Sequence, residues 1–193
     1  SRSRSPRFDN SFGSVAIAVI GSVQGSPVGI AAAASTLVVV GAWLIDHPKV
    51  LSYIDVLLHG RPVGASVAIV GAGGIGFDVA EYLSHDAAHP SASLDVAAFM
   101  KEWGIDMQLA TRGGLAPQPD LARTMPRTIW LLQRKPTPPG RDLGKTTGWV
   151  HRLALKRRGV RMLAGVTYGP INDRGFQVVL GGEPRLLEVD NIV

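Results

Sequence analysis

Hydrophobic and polar positions along this chain follow two periods. Val67-Ala68-Ile69-Val70 and Thr128-Ile129-Trp130-Leu131-Leu132 are short, continuous apolar runs, as expected of strands covered on both faces of a parallel sheet. After the first run the period changes. Glycines turn the chain into a helix expected from about residue 77 to 84, with Val79, Ala80 and Leu83 towards the sheet. Residues 50–58 predict a short amphipathic helix through Leu51, Ile54, Val56, Leu57 and Leu58. Thr146-Thr147 can cap a helix running to Arg158, with Trp149, Val150, Leu153 and Leu155 available for burial. Lys156, Arg157 and Arg158 suit its negative end, and Gly159 its stop.

Residues 161–166 predict a third parallel strand. The turn signals Asp173-Arg174-Gly175 and Gly181-Gly182 then divide residues 168–171, 176–180 and 186–189 into antiparallel ribbons. Asn191-Ile192-Val193 is expected to belong to another buried strand, and a parallel sheet ending there would expose an edge. The expected fold class is α/β: a Rossmann-like parallel sheet with a β-meander.

Between residues 85 and 125 the pattern loosens around Pro90, Gly113-Gly114, Pro117 and Pro119, and only 96–103 predicts a helix, with Val96, Phe99, Met100 and Trp103 on one side. Connections inside a βαβ unit are commonly short, so this interval is expected to be an insertion over the edge of a ligand site. His85 and His89 have helical spacing but no third ligand near them in sequence, which favours a solvated loop over a metal site.

The first 45 residues stand apart. Residues 1–7 form a basic Ser/Arg tail with almost nothing to bury. No charge appears between Asp9 and Asp46, and residues 30–45 form an apolar run close to the roughly 20 residues of a membrane span. Three readings stay open for that run: membrane contact through residues 30–45, buried strands of a neighbouring soluble domain, or an N-terminus without settled structure. The domain division is therefore 1–45, unassigned, and 46–193, a second domain expected to be incomplete at its C-terminus.

Composition narrows the chemistry. The chain has no cysteine, which excludes disulfides, zinc-thiolate sites, iron–sulfur clusters and thiol catalysis within it. A formal charge of +5 suits acidic ligands. The basic residues are scattered and aromatics are few, so an acidic ligand is favoured over nucleic acid.

The sharpest chemical signal is Gly71-Ala72-Gly73-Gly74-Ile75-Gly76. This is Gly-x-Gly-x-x-Gly between a strand and a helix, the context that makes the pattern informative. Gly71 permits the tight turn, Gly73 lets the backbone approach a pyrophosphate, and Gly76 lets helix and strand pack closely. Gly71, Gly73, Gly74, Ile75 and Gly76 are the expected pyrophosphate cradle, with the N–H groups of the new helix facing the anion. The second strand ends in Gln133-Arg134-Lys135. An acid there would bind a ribose 2′-hydroxyl, whereas Arg134 and Lys135 suit a 2′-phosphate, so the expected ligand is NADP rather than NAD. Asp95 is nearer the usual spacing for such an acid, but no strand precedes it.

Five stretches together resemble a known family: Asp46-His47-Pro48-Lys49-Val50-Leu51-Ser52-Tyr53-Ile54-Asp55-Val56-Leu57, residues 67–82, Glu102-Trp103-Gly104-Ile105-Asp106, Leu132-Gln133-Arg134-Lys135, and Leu143-Gly144-Lys145-Thr146-Thr147-Gly148-Trp149. They are similar to the NADPH-binding part of bacterial 2,4-dienoyl-CoA reductase, an old-yellow-enzyme-like iron–sulfur flavoprotein of fatty acid β-oxidation. The resemblance implies the NAD(P)-binding domain of a two-dinucleotide-binding flavoprotein. In that machine electrons pass from NADPH to FAD, then through an iron–sulfur cluster to FMN and an unsaturated acyl-CoA. This chain has no room for the family's barrel and no cysteines for its cluster, and residues 1–36 match nothing in it.

The expectation is thus a truncated or split NADP(H)-binding module, inactive alone and cytoplasmic. Its FAD would come from a flavin or barrel domain or subunit elsewhere. The alternative is a membrane-anchored or partner-docking protein with a relic nucleotide fold.

Overall fold

The computed structural model describes residues 46–193 apart from Ala87 and His89. The expectations for the tail 1–7, the apolar run 30–45 and His89 lie outside the described residues. Within them, a four-stranded sheet is built from β1 (Ser66–Val70), β2 (Thr128–Leu132), β3 (Arg161–Leu163) and β7 (Asn191–Ile192), in the order β3-β2-β1-β7. All its pairings are parallel, with Ile69 opposite Leu131 and Val70 opposite Leu132.

The alternation of side chains explains why these strands are apolar without interruption. Val67, Ile69, Ile129 and Leu131 face one core with Val56, Phe77, Val79, Ala80, Leu83 and Leu155 from the helices. Ala68 and Leu132 face a second core with Val166, Phe176, Val178 and Leu187. Each large aliphatic side chain buried in this way contributes about 1.5–3 kcal/mol.

The second core is covered by a three-stranded antiparallel meander, β4 (Val166–Asn172), β5 (Gly175–Leu180) and β6 (Glu183–Leu187). Gly181 and Gly182 both take positive φ (+62° and +86°), the backbone that a two-residue hairpin turn needs. Register shifts between Tyr168 and Ile171, where Pro170 cannot donate to the ladder. The fold class is the expected α/β one, a Rossmann-like parallel sheet with a β-meander.

The helices depart from the periodicity at their ends. The first, α1 (Tyr53–Leu57), starts later than residue 50 because Ser52 and Asp55 form a reciprocal capping box. Val50 and Leu51 remain extended: Leu51 N–H donates to Ile192 O at 2.8 Å and Ile192 N–H to Lys49 O at 2.9 Å. Segment 49–51 thereby pairs with the outer side of β7 at Ile192, so among the described residues that side of the last strand has a partner. The second helix, α2 (Gly74–Leu83), begins three residues before the expected Phe77, so Gly74, Ile75 and Gly76 form its first turn. Asp95 caps α3 (Val96–Trp103) by accepting from Ala98 N–H at 3.0 Å. The fourth helix, α4 (Gly148–Arg157), buries Leu155, whereas Trp149 and Leu153, expected to be available for burial, stay 56% and 38% exposed.

Topology corrects the placement of the insertion. It joins the end of α2 to the start of β2, and in a parallel sheet both lie at the edge opposite the strand C-termini. The insertion therefore packs away from the glycine turn. Its ties are polar. Arg158, 9% exposed, donates from Nη2 to Glu102 Oε1 at 2.8 Å and brings Nε to 3.8 Å from Glu81 Oε1. Arg157 Nη2 donates to the Glu102 carbonyl, and its guanidinium lies 5.2 Å from the Trp103 ring centre. Arg127 Nη1 donates to Leu83 O at 3.1 Å. His85 belongs to this cluster rather than to a solvated loop, with Nε2 3.1 Å from Glu81 Oε1 and Nδ1 3.4 Å from Arg158 Nη1. Among the described residues, no helix is long and apolar enough to cross a membrane.

Removing one partner of a buried ion pair leaves the other charge uncompensated. Arg158→Ala is expected to lower unfolding stability by about 3 kcal/mol, while Arg158→Leu with Glu102→Leu recovers most of it. Urea denaturation followed by circular dichroism measures both, and equal losses in the two variants would contradict the account.

Candidate nucleotide site

The site forms where β1 and β2 end side by side. Gly71 N–H donates to Leu132 O at 2.9 Å, which holds the turn after β1 against the last residue of β2. The glycines of this turn serve three separate ends. Gly71 has φ +117°, a backbone conformation that side chains with a Cβ rarely adopt. At Gly76 a Cβ would lie 1.8 Å from Gly71 O, so helix and turn touch backbone to backbone. Gly73 has ordinary φ (−88°), and a Cβ there would meet nothing within 4 Å. The chain itself does not require glycine at Gly73, which caps the start of α2 and borders open space.

That turn offers donors. The first intrahelical bond runs from Phe77 N–H to Gly73 O at 3.0 Å, so the amides of Gly74, Ile75 and Gly76 precede the helix ladder and carry its positive end. A pyrophosphate fits this arrangement because it is anionic and needs close backbone approach.

The exit of β2 supplies the cations. Gln133 is pinned on both sides: its N–H donates to Leu163 O at 2.9 Å, its carbonyl accepts from Val166 N–H at 3.0 Å, and Nε2 donates to Thr137 O at 2.7 Å. Gly165 N–H donates to Lys135 O at 2.9 Å. Arg134 and Lys135 are thus held by backbone pairing on a loop beside the glycines. They line one concavity of about 510 Å³ with Gly71, Gly73 and Gly74. Arg134 is exposed and has no ion-pair partner among the described residues. Lys135 differs, because Nζ lies 2.9 Å from Asp142 Oδ2.

Three further lining residues were not among the expected site residues. Asp142 and Leu143 come from the loop before α4, and Tyr168 from β4. The Tyr168 hydroxyl donates to Leu132 O at 3.4 Å, and its ring stands 5.8 Å from that of Phe176. Burial pushes this phenol above its ordinary pKa, partly opposed by the charge of Arg134. No local signal marked Tyr168, because an aromatic on a meander strand is ordinary.

Ile75 and Gly76 fall on the other side of the turn. With Gly71, Gly73 and Gly74 they line a mostly apolar hollow of about 480 Å³, to which Tyr53 and Val193 also contribute. A larger hollow, about 740 Å³, lies against the C-terminal half of α2 between charges of both signs, including Arg61, Glu81 and Arg127. It is remote from the glycine turn and its amides.

No protein-family model matches the chain. The fold recurs in a 2-naphthoyl-CoA reductase solved with 2-naphthoyl-CoA, at 19% identity and a TM-score of 0.52 over 77% of this chain and 17% of that one. It also recurs in the 6-hydroxypseudooxynicotine amine oxidase of Pseudomonas geniculata N1, at 15% identity and a TM-score of 0.50, again over 77% and 17%. At these identities the likeness is one of fold. This chain spans about a sixth of the length of either solved chain, 17% in both.

The division of labour among the glycines predicts a stability order. Gly76→Ala is expected to cost about 3 kcal/mol, because backbone must move. Gly71→Ala should cost about 1–2 kcal/mol through its positive φ, and Gly73→Ala less than about 0.5 kcal/mol. Thermal or urea unfolding tests the order, and a Gly73→Ala loss matching that of Gly76→Ala would refute it.

Proposed function

We propose that this chain is the NADP(H)-binding module of a flavin-dependent oxidoreductase resembling 2,4-dienoyl-CoA reductase. The observation that supports it best is the meeting of Arg134 with the glycine turn in one concavity. Gly71, Gly73 and Gly74, with the amides of Ile75 and Gly76, hold the pyrophosphate. Arg134 takes the 2′-phosphate, as a planar guanidinium able to donate to it bidentately, and Lys135 adds a second cation. The apolar hollow beside Ile75, Tyr53 and Val193 suits the nicotinamide end of the ligand.

NADPH is a hydride donor when bound, and the acceptor in this reading is an FAD held outside the chain by a partner domain or subunit. The residues of this chain bind and orient: the cradle fixes the phosphates and the hollow shelters the ring. The recurrence of the fold in a reductase and an oxidase agrees with a redox role, and the link to dienoyl-CoA chemistry rests on the sequence resemblance.

Titration of the purified chain with NADPH and NADH tests the reading. NADPH should bind more tightly than NADH, and Arg134→Ala should weaken NADPH about ten- to fiftyfold while leaving NADH within about twofold. Gly73→Val should weaken both nucleotides, because its side chain occupies the cradle. Equal affinity for the two nucleotides in the wild type, or no effect of Arg134→Ala, contradicts the phosphate assignment.

A further inference from the structure

Lys135 and Asp142 meet at the mouth of the cradle. Nζ donates to Oδ2 at 2.9 Å, and the side chains are 69% and 72% exposed. Asp142 lines the same concavity as Gly71, Gly73, Gly74 and Arg134. The hydrogen bond and charge of Lys135 hold its carboxyl below the ordinary carboxylate range, so it is ionised at neutral pH. The charged side chains lining the concavity are therefore Arg134, Lys135 and Asp142, two cations and one anion.

A ribose 2′-phosphate and a ribose 2′-hydroxyl meet that anion differently. The phosphate carries close to two negative charges at neutral pH, and to reach Lys135 it must compete with a carboxylate that then stays nearby. The hydroxyl has an O–H to donate, and a carboxylate is an acceptor. An exposed ion pair is weakly held, so the competition is open to whichever ligand arrives.

We propose that Asp142 is a specificity-determining residue of this site: by pairing with Lys135 it restrains the preference for the 2′-phosphorylated dinucleotide, leaving Arg134 as its main phosphate contact. This deepens the NADP(H) reading and rests on it. It also assigns Lys135 a conditional role, available to phosphate to the extent that Asp142 releases it.

The full chain and its Asp142→Asn variant are titrated with NADPH and NADH, and in parallel with adenosine 2′,5′-bisphosphate and AMP. Asp142→Asn should tighten NADPH and the bisphosphate about five- to tenfold and leave NADH and AMP unchanged or weaker. Asp142→Ser removes the charge with a different shape and should reproduce the change. In a Lys135→Met background the gain should shrink to about twofold, since the two residues act as a pair. An NADPH-to-NADH ratio unchanged within about twofold in both Asp142 variants, with Arg134→Ala still weakening NADPH, overturns the inference and leaves the nucleotide reading standing. Failure of the wild type to bind either nucleotide overturns both.

Discussion

The structure depends on one contact, the approach of the first turn of α2 to the turn after β1. A Cβ at Gly76 would stand 1.8 Å from the Gly71 carbonyl oxygen, so no side chain can separate helix from turn. This closeness brings the amides of Gly74, Ile75 and Gly76 directly above the strand end. It also sets the slope at which α2 descends to bury Phe77, Val79, Ala80 and Leu83 against the sheet. A looser contact would lose both the proposed anion cradle and part of the core. Gly73 is the counterpart: a Cβ there would meet nothing within 4 Å, whereas Gly76 is needed for backbone contact and Gly71 for its positive φ.

Parallel pairing carries the second half of the site to the same place. Because β1 and β2 run in register from Ser66–Thr128 to Val70–Leu132, their exits emerge side by side, and Gly71 N–H bonds directly to Leu132 O. Arg134 then arrives beside the glycines although 57 or more residues separate them along the chain. The meander fixes the cations from below, since Gly165 and Val166 bond to the backbone of Lys135 and Gln133. Fold and electrostatics are thus one arrangement: the strands that bury the core also deliver opposite chemical components to one rim.

The long connection between α2 and β2 lies at the other end of the parallel sheet, away from the strand C-termini. Trp103, Glu102 and the half-buried His85 are tied to Arg157 and Arg158, and Arg127 caps the carbonyl end of α2. Arg157 and Arg158 were legible as companions to the negative end of a helix, but their partners Glu102 and Trp103 come from the insertion. Their contribution is to hold a segment whose helix buries no side chain of its own, leaving the strand C-termini free of it.

Local patterning was enough for β1, β2 and the glycine turn, whereas residues 161–166 divide into β3 at Arg161–Leu163 and the start of β4 in the other sheet, because the chain turns at Gly165, and the ribbon expected at 186–189 runs from Glu183 to Leu187. Continuous apolar runs determined β1 and β2 because a strand covered on both faces has no polar position to spare. The glycine spacing determined the turn because φ and the absence of Cβ are properties of single residues. Helix starts were less legible, since the capping box at Ser52 and Asp55 and the early start at Gly74 compete with periodicity. The sequence alone could not tell Lys135 from Arg134, place Tyr168 in the site, or show that segment 49–51 pairs with β7. Only tertiary structure decided these, because an ion pair, a ring lining a concavity and a paired edge are distances between groups, and distance through space is set by packing rather than by order along the chain.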